Sequence, residues 1–361
     1  MSEPAPICDP SHLLGLFPEE LSSVPALTGQ PAYRVTQLIE WIYRRMAGEF
    51  ADMTNLPKAL RDTLSQAGGL YTSVIERDVA SSDGTRKLLL RWPDGATSEC
   101  VLIPDADRRT ACISTQVGCP AGCVFCASGL SGLERDLSAG QIVEQAMRLT
   151  RLCGDDRGLT NVVFMGMGEP LLNYEAVVRA LRVINAPWGM NIGARKITVS
   201  TVGLPKPMRR LAEEGLQITL ALSLHGPNDE LRRQIVPWAA QISIDELVEA
   251  AVYVFDCTGR EVTLEYVLLG ELNDRPEHAR ELAALSKRMR SNVNLIRYNP
   301  VEGLPFRRPD ADASQRFLEI LRERGVNAHL RRSRGLDIDG ACGQLRRRTP
   351  SRMQTGPERD P

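Results

Sequence analysis

The sequence predicts an α/β fold built on a parallel sheet, either doubly wound or curled into an incomplete barrel. Two observations predict it. Six short segments of strand-like composition alternate with six longer segments that have helical periodicity. Ahead of them lie a stretch with helical spacing and two strand-like segments around a turn, which predict a small helical domain and a β-hairpin.

The amino-terminal part is predicted in three pieces. The first 30 residues, rich in Pro, Ser and Glu, are expected to be loosely structured. An apolar stripe after Tyr33 predicts a helix, and Pro57 suits the first turn of a second helix. The turn-forming Ser82-Asp83-Gly84 joins the hairpin strands. The predicted units are a loose segment 1–30, a helical accessory domain 31–75, a hairpin and strand connection 76–108, a strand–helix region 109–345 and a disordered tail 346–361.

The strand–helix region is predicted from the change of apolar period along the chain. Two helices begin with capping-box signals, Ser138 with Gln141 and Ser243 with Glu246. The strands are expected at 110–115, 161–165, 195–201, 217–224, 261–268 and 293–298, and the helices at 138–153, 173–185, 206–214, 243–257, 276–290 and 312–324.

Composition narrows the class of protein. The chain has 361 residues, 43% apolar and 25% charged, which is an ordinary globular profile. It has no apolar run long enough to span a bilayer and no signal pattern, so we expect a cytoplasmic protein without membrane contact. The net charge of −1 means that nucleic-acid binding would need a local patch, and arginine runs such as Arg331-Arg332 could equally be solvated surface. Nine cysteines without secretory context favour thiols that bind metal.

Three of these cysteines stand together in the segment QVGCPAGCVFCASG, residues 116–129. Thiolates at this spacing suit zinc or an iron–sulfur cluster. A structural zinc site normally has two separated pairs of ligands, and no second pair follows here. Three thiolates can hold three irons of a 4Fe–4S cube and leave the fourth iron open to a substrate or cofactor. The candidate metal ligands are Cys119, Cys123 and Cys126.

This spacing, with Phe125 before the last cysteine, resembles the signature of the radical S-adenosylmethionine (SAM) superfamily. The resemblance implies an incomplete (β/α)6 barrel and one 4Fe–4S cluster per chain, whose fourth iron SAM chelates. In that superfamily an electron from the cluster cleaves SAM to a 5′-deoxyadenosyl radical. The segment VFMGMGEPL, residues 163–171, is similar to the superfamily's SAM-binding element, in which Glu169 can receive an ammonium group.

Further polar residues fall at the carboxyl ends of predicted strands, where active sites of parallel βα proteins collect. A lone His225 is more often structural, and a lone Asn299 before Pro300 is more often a simple turn. Four strands, however, deliver polar groups to this one edge. The sequence therefore predicts an active site there.

A closer resemblance is to the RlmN/Cfr family of radical SAM RNA methyltransferases, which methylate adenosine carbon atoms. It rests on the motifs FMGMGEPLLNY, ALSLHGPNDELR, LEYVLLGELND and DIDGACGQL, and covers roughly residues 15–345. The segments PAYRVTQLIEWIYRR and MTNLPKALR are similar to that family's accessory domain. The positions that match the family's SAM contacts are Gly168, Glu169, Ser200, Ser223, Leu224, His225 and Asn299.

The resemblance also implies three catalytic residues. Cys342 would take a methyl group from one SAM, and a second SAM would activate that methyl group for addition to adenine, so two SAM are consumed per methylation. Cys112 would attack the Cys342 sulfur, form a transient disulfide and release the product. Glu99 would accept the ring proton. Taken alone, each cysteine is more often a buried or idle thiol, and Glu99 a surface group.

The resemblance implies RNA as the partner, namely 23S rRNA and, as a second substrate, tRNA, with a flavodoxin-like electron donor and a monomeric enzyme. Departures at Trp238-Ala239, Arg297-Tyr298 and 305–309 leave open which adenosine carbon is methylated. The helical accessory domain favours C2 over a Cfr-like C8 activity. The remaining alternatives are a radical SAM enzyme for a peptide or small metabolite, and a non-catalytic RNA-binding or zinc protein.

Overall fold

A ten-stranded sheet organises the part of the chain that the computed structural model describes, residues 12–154 and 158–345. A separate two-stranded ladder joins β5 and β6. The strands are β1 Val74–Ala80, β2 Arg86–Arg91, β3 Thr97–Asp105, β4 Arg108–Cys112, β5 Gln116–Gly118, β6 Leu133–Asp136, β7 Asn161–Phe164, β8 Ile197–Thr201, β9 Thr219–Ser223, β10 Val262–Leu268, β11 Ser291–Arg297 and β12 Ala328–Arg331.

The strands of the large sheet follow the chain, in the order β1-β2-β3-β4-β7-β8-β9-β10-β11-β12. The first four pair antiparallel, and every pair from β4 onward is parallel. The predicted incomplete barrel is confirmed: six parallel strands carry the strand–helix units, and β12 adds a seventh. Because β1 and β12 are the two ends of the sheet, the barrel is not closed.

Helices fill the connections between the parallel strands. The capping boxes at Ser138 and Ser243 are present as predicted, each hydroxyl accepting the N–H of the residue three positions on. Strand β10 is buried at every position, as expected for a central parallel strand. The helices are α1 Pro18–Leu21, α2 Tyr33–Ile39, α3 Lys58–Ala67, α4 Ala139–Arg151, α5 Tyr174–Asn185, α6 Pro205–Glu213, α7 Asp229–Ile235, α8 Ile244–Thr258, α9 Pro276–Ser286 and α10 Ala311–Glu323.

The amino-terminal segment differs from the prediction. Residues 1–30 were expected to be loosely structured, but residues 12–30 contain short helical turns and pack on the barrel. Leu14 and Leu21 are fully buried, and Gly15 lies so close to α4 that a Cβ there would come within 2.6 Å of the Gly140 nitrogen. The prediction was wrong because the leucines of this segment bury apolar surface despite its Pro, Ser and Glu content.

The helices of the rest of the accessory region agree only in part with those predicted from the apolar pattern. The helix predicted after Tyr33 is α-helical only to Ile39 and then continues as a single π-helical turn, Glu40–Arg44. Helix α3 begins directly after Pro57, as predicted. The predicted tail, 346–361, lies outside the described residues. Among the described helices, none has the length and apolar character needed to cross a membrane.

Candidate active site

A cavity opens at the carboxyl ends of the parallel strands, beside the cysteine loop. It holds about 910 Å³ of space open to solvent, within the size range of sites for nucleotide-sized ligands. Ten of the predicted site residues line it together, although they come from six separate parts of the chain. These are Cys119, Cys123, Cys126, Gly168, Glu169, Ser200, Ser223, His225, Asn299 and Cys342.

Backbone hydrogen bonds hold the cysteine loop in shape, one to a neighbouring turn and one within the loop. The Cys119 N–H donates to the Gly132 carbonyl (3.0 Å), and the Cys126 N–H donates to the Cys123 carbonyl (3.1 Å). Burial raises the pKa of all three thiols, that of Cys119 to about 12. The thiols would therefore ionise only beside a strong positive charge, which a bound metal supplies.

The chemistry of this donor set fits an iron–sulfur cluster. In the described part of the chain, no three Cys, His, Asp or Glu side chains converge on a position for one metal ion. A single zinc ion needs such convergence, whereas in a 4Fe–4S cube each thiolate binds a different iron and the sulfurs stay farther apart. Cys119, Cys123 and Cys126 line one cavity and are the residues that could hold the cluster.

The glycine-rich turn after β7 brings a buried carboxylate to the cavity. Glu169 accepts the N–H groups of Leu171 (3.0 Å) and Val202 (2.8 Å), and burial raises its pKa to about 7. Its hydrogen-bonding partners are neutral, so a ligand ammonium group would complete the site. Gly168 has a φ of +108°, and a Cβ there would come within 2.7 Å of Gln116 Cβ.

The strand ends supply the opposite wall. His225 has a φ of 59°, and its Nδ1 accepts the Val267 N–H (3.2 Å), so the neutral ring carries its proton on Nε2. Burial, with Arg232 nearby, lowers the pKa of His225 to about 3. Ser200 Oγ donates to the Phe164 carbonyl (2.9 Å). This wall therefore presents an imidazole N–H donor and hydroxyl groups.

Cys342 lies in the segment 334–345, which follows β12 and which we call the Cys342 loop. The loop returns across the mouth of the cavity and contacts both the cysteine loop and the wall. The Asn299 amide donates to the Cys342 carbonyl (3.0 Å), and the Ala127 N–H donates to the Gly343 carbonyl (2.8 Å). Cys342 is exposed, so its sulfur is accessible from the cavity and from solvent.

Cys112 ends β4 and is buried against Val101, Met167 and Leu345, just outside the cavity. Burial, followed by repulsion from Cys342, raises its pKa to about 12, and Arg331 opposes this shift. The pKa of Arg331 is itself raised, most strongly by Cys342. Both cysteines thus lie within electrostatic reach of each other and share one guanidinium.

Glu99 and Leu224 are not among the residues that line this cavity. Leu224 packs in the main core, so its predicted contact with SAM stays a prediction. Glu99 lies in a second cavity of about 680 Å³, between β1, β2 and β3 and the Cys342 loop. Its carboxylate pairs with the Lys87 ammonium at 3.0 Å. The Cys342 loop contributes to both cavities and so lies between them.

The structure adds residues that the sequence analysis missed. Glu265 lines the main cavity with a buried carboxylate oxygen that has no hydrogen-bond partner, and Arg331 Nη1 lies 3.9 Å from it. A charged residue inside the otherwise uncharged β10 is the available signal. The sequence indicates for Arg331 only a place in an arginine run, either a nucleic-acid patch or solvated surface. Lys87 carried no signal, because strand positions next to turns often hold exposed lysines.

Two of the three departures from the family's sequence pattern contact each other in the structure. Tyr298 lines the main cavity, is buried, and packs edge-on against Phe306 with ring centroids 6.0 Å apart. The unusual residue before Asn299 and the unusual segment 305–309 therefore form one contact. Trp238 packs between two apolar clusters. These changes adjust the apolar wall of the site and keep its polar groups.

Comparison with known proteins covers most of the chain. Residues 113–283 match the family model of the Radical SAM superfamily. Residues 11–68 match the model described as the ribosomal RNA large subunit methyltransferase N-terminal domain. Together the two models cover more than half of the chain, on either side of the hairpin.

Individual relatives match over nearly their full length. A probable dual-specificity RNA methyltransferase RlmN from Rhodopirellula baltica is 44% identical over 337 residues, covering 93% of this chain and 91% of the relative. One from Gloeobacter violaceus is 48% identical over 339 residues, covering 94% and 96%. The crystal structure of a radical SAM methyltransferase from Sphaerobacter thermophilus superposes with a TM-score of 0.90 at 47% identity, covering 92% and 98%.

Proposed function

Since this chain belongs to the RlmN/Cfr family of radical SAM RNA methyltransferases, we propose that it methylates C2 of adenosine in 23S rRNA and in tRNA. It is a SAM-dependent RNA methyltransferase, and its family implies a 4Fe–4S cluster. Two features support the finer proposal: the amino-terminal match to a large-subunit rRNA methyltransferase domain, and the dual-specificity relatives. C8 methylation, the Cfr-like alternative, has no comparable support.

One observation carries the proposed mechanism: two cysteines outside the cluster loop stand within electrostatic reach at the edge of the SAM-sized cavity. When bound, the cluster and SAM supply the methyl group and the radical chemistry that activates it. Cys342, accessible from the cavity, carries the methyl group as a thioether and then binds the adenine carbon through it.

The remaining steps use groups on two strands. Glu99 takes the proton from the substituted ring carbon. The Cys112 thiol gives up its proton as it attacks the Cys342 sulfur, so that an S–S bond forms while the S–C bond to the RNA breaks. The released carbon takes up a proton and becomes the methyl group. Burial of Cys112 protects this second thiol from solvent oxidants until Cys342 is presented to it.

The test is to stop the reaction before release. Replacing Cys112→Ala leaves the RNA attached to Cys342, because no thiol can attack the sulfur. A covalent RNA–protein band on a denaturing gel is the expected result, with the crosslinked peptide identified by mass spectrometry after nuclease and trypsin digestion.

Two control variants make the result specific. The exposed thiol of Cys257, on α8, is remote from both cavities, so Cys257→Ala should methylate RNA without a trapped adduct. The double variant C112A/C342A should give neither adduct nor product. If C112A forms methylated RNA at the normal rate, or if it consumes SAM without attaching RNA, the proposed function is wrong.

A further inference from the structure

Lys87 makes two contacts that link separate parts of the proposed machinery. Its ammonium nitrogen lies 3.0 Å from Glu99 Oε1 and donates to the backbone carbonyl of Asp339, also at 3.0 Å. Asp339 precedes Cys342 by three residues and has a left-handed φ of 50°. The Lys87 side chain is only 13% exposed, so these contacts are partly shielded from solvent.

The contact with Glu99 has a clear electrostatic consequence. The Glu99 side chain is 6% exposed, and a carboxylate buried to this degree stays ionised only when it is paired. A residue that takes a proton from carbon must be ionised before the step. The ammonium of Lys87 therefore keeps Glu99 in the form that can act.

The contact with Asp339 has a geometric consequence. The carbonyl belongs to the segment after the single helical turn Leu336–Ile338, which leads directly to Cys342. One ammonium thus fixes the distance between the carboxylate and the base of the Cys342 loop. A general base acts only within hydrogen-bonding reach of its proton, so this distance decides whether Glu99 can serve a substrate attached to Cys342.

We propose that Lys87 is a positioning residue that holds the Glu99 carboxylate ionised and ties it to the loop that carries Cys342. This inference rests on the proposed function, since it assigns proton removal to Glu99. The other charged groups that line the same cavity are Arg77 from β1 and Asp337 and Asp339 from the Cys342 loop. Arg77 is exposed and the two aspartates are anionic, so Lys87 is the cation best placed to act on Glu99 in the described cavity.

Three variants at position 87 distinguish the effect of the positive charge from the effect of the side-chain shape. Lys87→Met removes the ammonium, Lys87→Gln keeps a neutral hydrogen-bond donor, and Lys87→Arg keeps the charge. Arg91→Met is the matched control, because Arg91 ends the same strand, pairs with Glu76 at 2.7 Å and is not among the residues that line the cavity of Glu99. Single-turnover methylation of an unmodified 23S rRNA transcript is followed from pH 5.5 to 9 with the reconstituted holoenzyme.

We expect K87M and K87Q to methylate RNA at least tenfold more slowly near neutral pH, and the acidic limb of the rate profile to move up by about one pH unit. The limb moves to higher pH because a carboxylate that loses a neighbouring cation binds its proton more readily. K87R should restore the position of the limb. Methylation of Cys342 itself, measured by mass spectrometry, should be unchanged because that step does not use Glu99.

A second readout does not depend on catalysis. Amide hydrogen exchange across residues 336–343, and alkylation of Cys342 by iodoacetamide, should both be several-fold faster in K87M and unchanged in R91M. If K87M retains the wild-type pH profile, or if R91M moves the profile as far as K87M does, the inference is wrong. If wild type fails to methylate RNA while K87M still loosens the loop, the proposed function fails and the structural link survives.

Discussion

Gly168 shows how one backbone position shapes the cavity. Its φ of +108° is costly for any residue with a side chain, and a Cβ would come within 2.7 Å of both Gln116 Cβ and Thr115 Oγ1. We therefore expect Gly168→Ala to displace the turn that carries Glu169 and to weaken SAM binding at least tenfold. Equilibrium dialysis with labelled SAM measures this.

Gly193 provides the matched control for that substitution. It has an ordinary φ of −57°, and a Cβ there would meet nothing within 4 Å. Gly193→Ala should bind SAM as wild type does. Equal affinity in G168A and wild type would mean that the turn does not form part of the SAM site.

At this scale the sequence predicted residues with recognisable motifs and missed those without one. The three cluster cysteines and Glu169 stand in dense, characteristic spacing, and the structure brings them to one cavity. Glu265, Arg331 and Lys87 are single charged residues in strands, and only tertiary packing shows which of these face a cavity. Pattern alone cannot separate such a residue from an exposed charge, because both have the same local sequence.

Among the elements, helix α4 ties the accessory region to the barrel through one buried carboxylate. Glu144 accepts N–H and O–H groups of Thr72 and Ser73, pairs with Arg148 (2.9 Å), and lies 3.1 Å from His12 Nε2. His12 lies before the accessory helices, and Thr72 and Ser73 lie after them. Glu144 therefore joins both ends of that region to the barrel.

We expect Glu144→Gln to destabilise the protein by about 3 kcal/mol at pH 7, the usual cost of breaking a buried ion pair. Burial acts to raise the pKa of Glu144, but His12 and Arg148 outweigh it and hold the pKa well below its ordinary value of 4.5. A lowered pKa in the folded state means that the unfolded chain binds the proton first as the pH falls. The stabilisation is therefore complete above about pH 5 and is lost as the pH falls further.

Urea denaturation of wild type and E144Q between pH 3.5 and 8 measures this difference. The gap in unfolding free energy should be widest near pH 7 and should begin to narrow as the pH falls below about 4.5. Glu40→Gln removes an exposed pair with Arg45 and should change stability by less than about 0.5 kcal/mol at every pH. A gap that stays constant across the range would show that the charge of Glu144 is not what stabilises the docking.

The elements themselves were largely predictable, because apolar period and capping residues are local properties. All six predicted strands and six predicted helices of the barrel are present, with ends shifted by a few residues. The structured segment 12–30 could not be predicted this way. It has no regular period, and its leucines are buried through contacts of its short turns with α4, α2 and α3.

At the scale of the whole molecule, the Cys342 loop links the two ends of the sheet. After β12 it runs back to the hairpin turn, where Asp337 accepts hydrogen bonds from Ser81 and Ser82 and the Gly335 N–H donates to Asp83 (2.9 Å). No strand ladder joins β12 to β1 in the described sheet. The gap between the two ends of the sheet is therefore closed by hydrogen bonds that involve side chains.

We expect Asp337→Ala to loosen this closure without unfolding the barrel. Hydrogen exchange across 335–343 and alkylation of Cys342 should be several-fold faster, while the melting temperature changes little because no ladder is broken. Asp62→Ala, on the exposed face of α3, is the control and should alter neither readout. A large drop in melting temperature for D337A, without selective loosening of the loop, would contradict this.

A barrel whose two sheet ends are joined only by hydrogen bonds to side chains can open at that gap at a small cost in free energy. Each fastening hydrogen bond contributes about 1 kcal/mol, far less than separating a paired strand, so a bulky folded nucleic acid can spread the gap as it arrives. Cys342 lies on the segment that closes this gap, whereas the cysteine loop is bonded to the Gly132 and Ile235 carbonyls. Under the proposed function, widening the gap would therefore present the Cys342 sulfur to its two partners in turn and leave the three proposed cluster ligands in place.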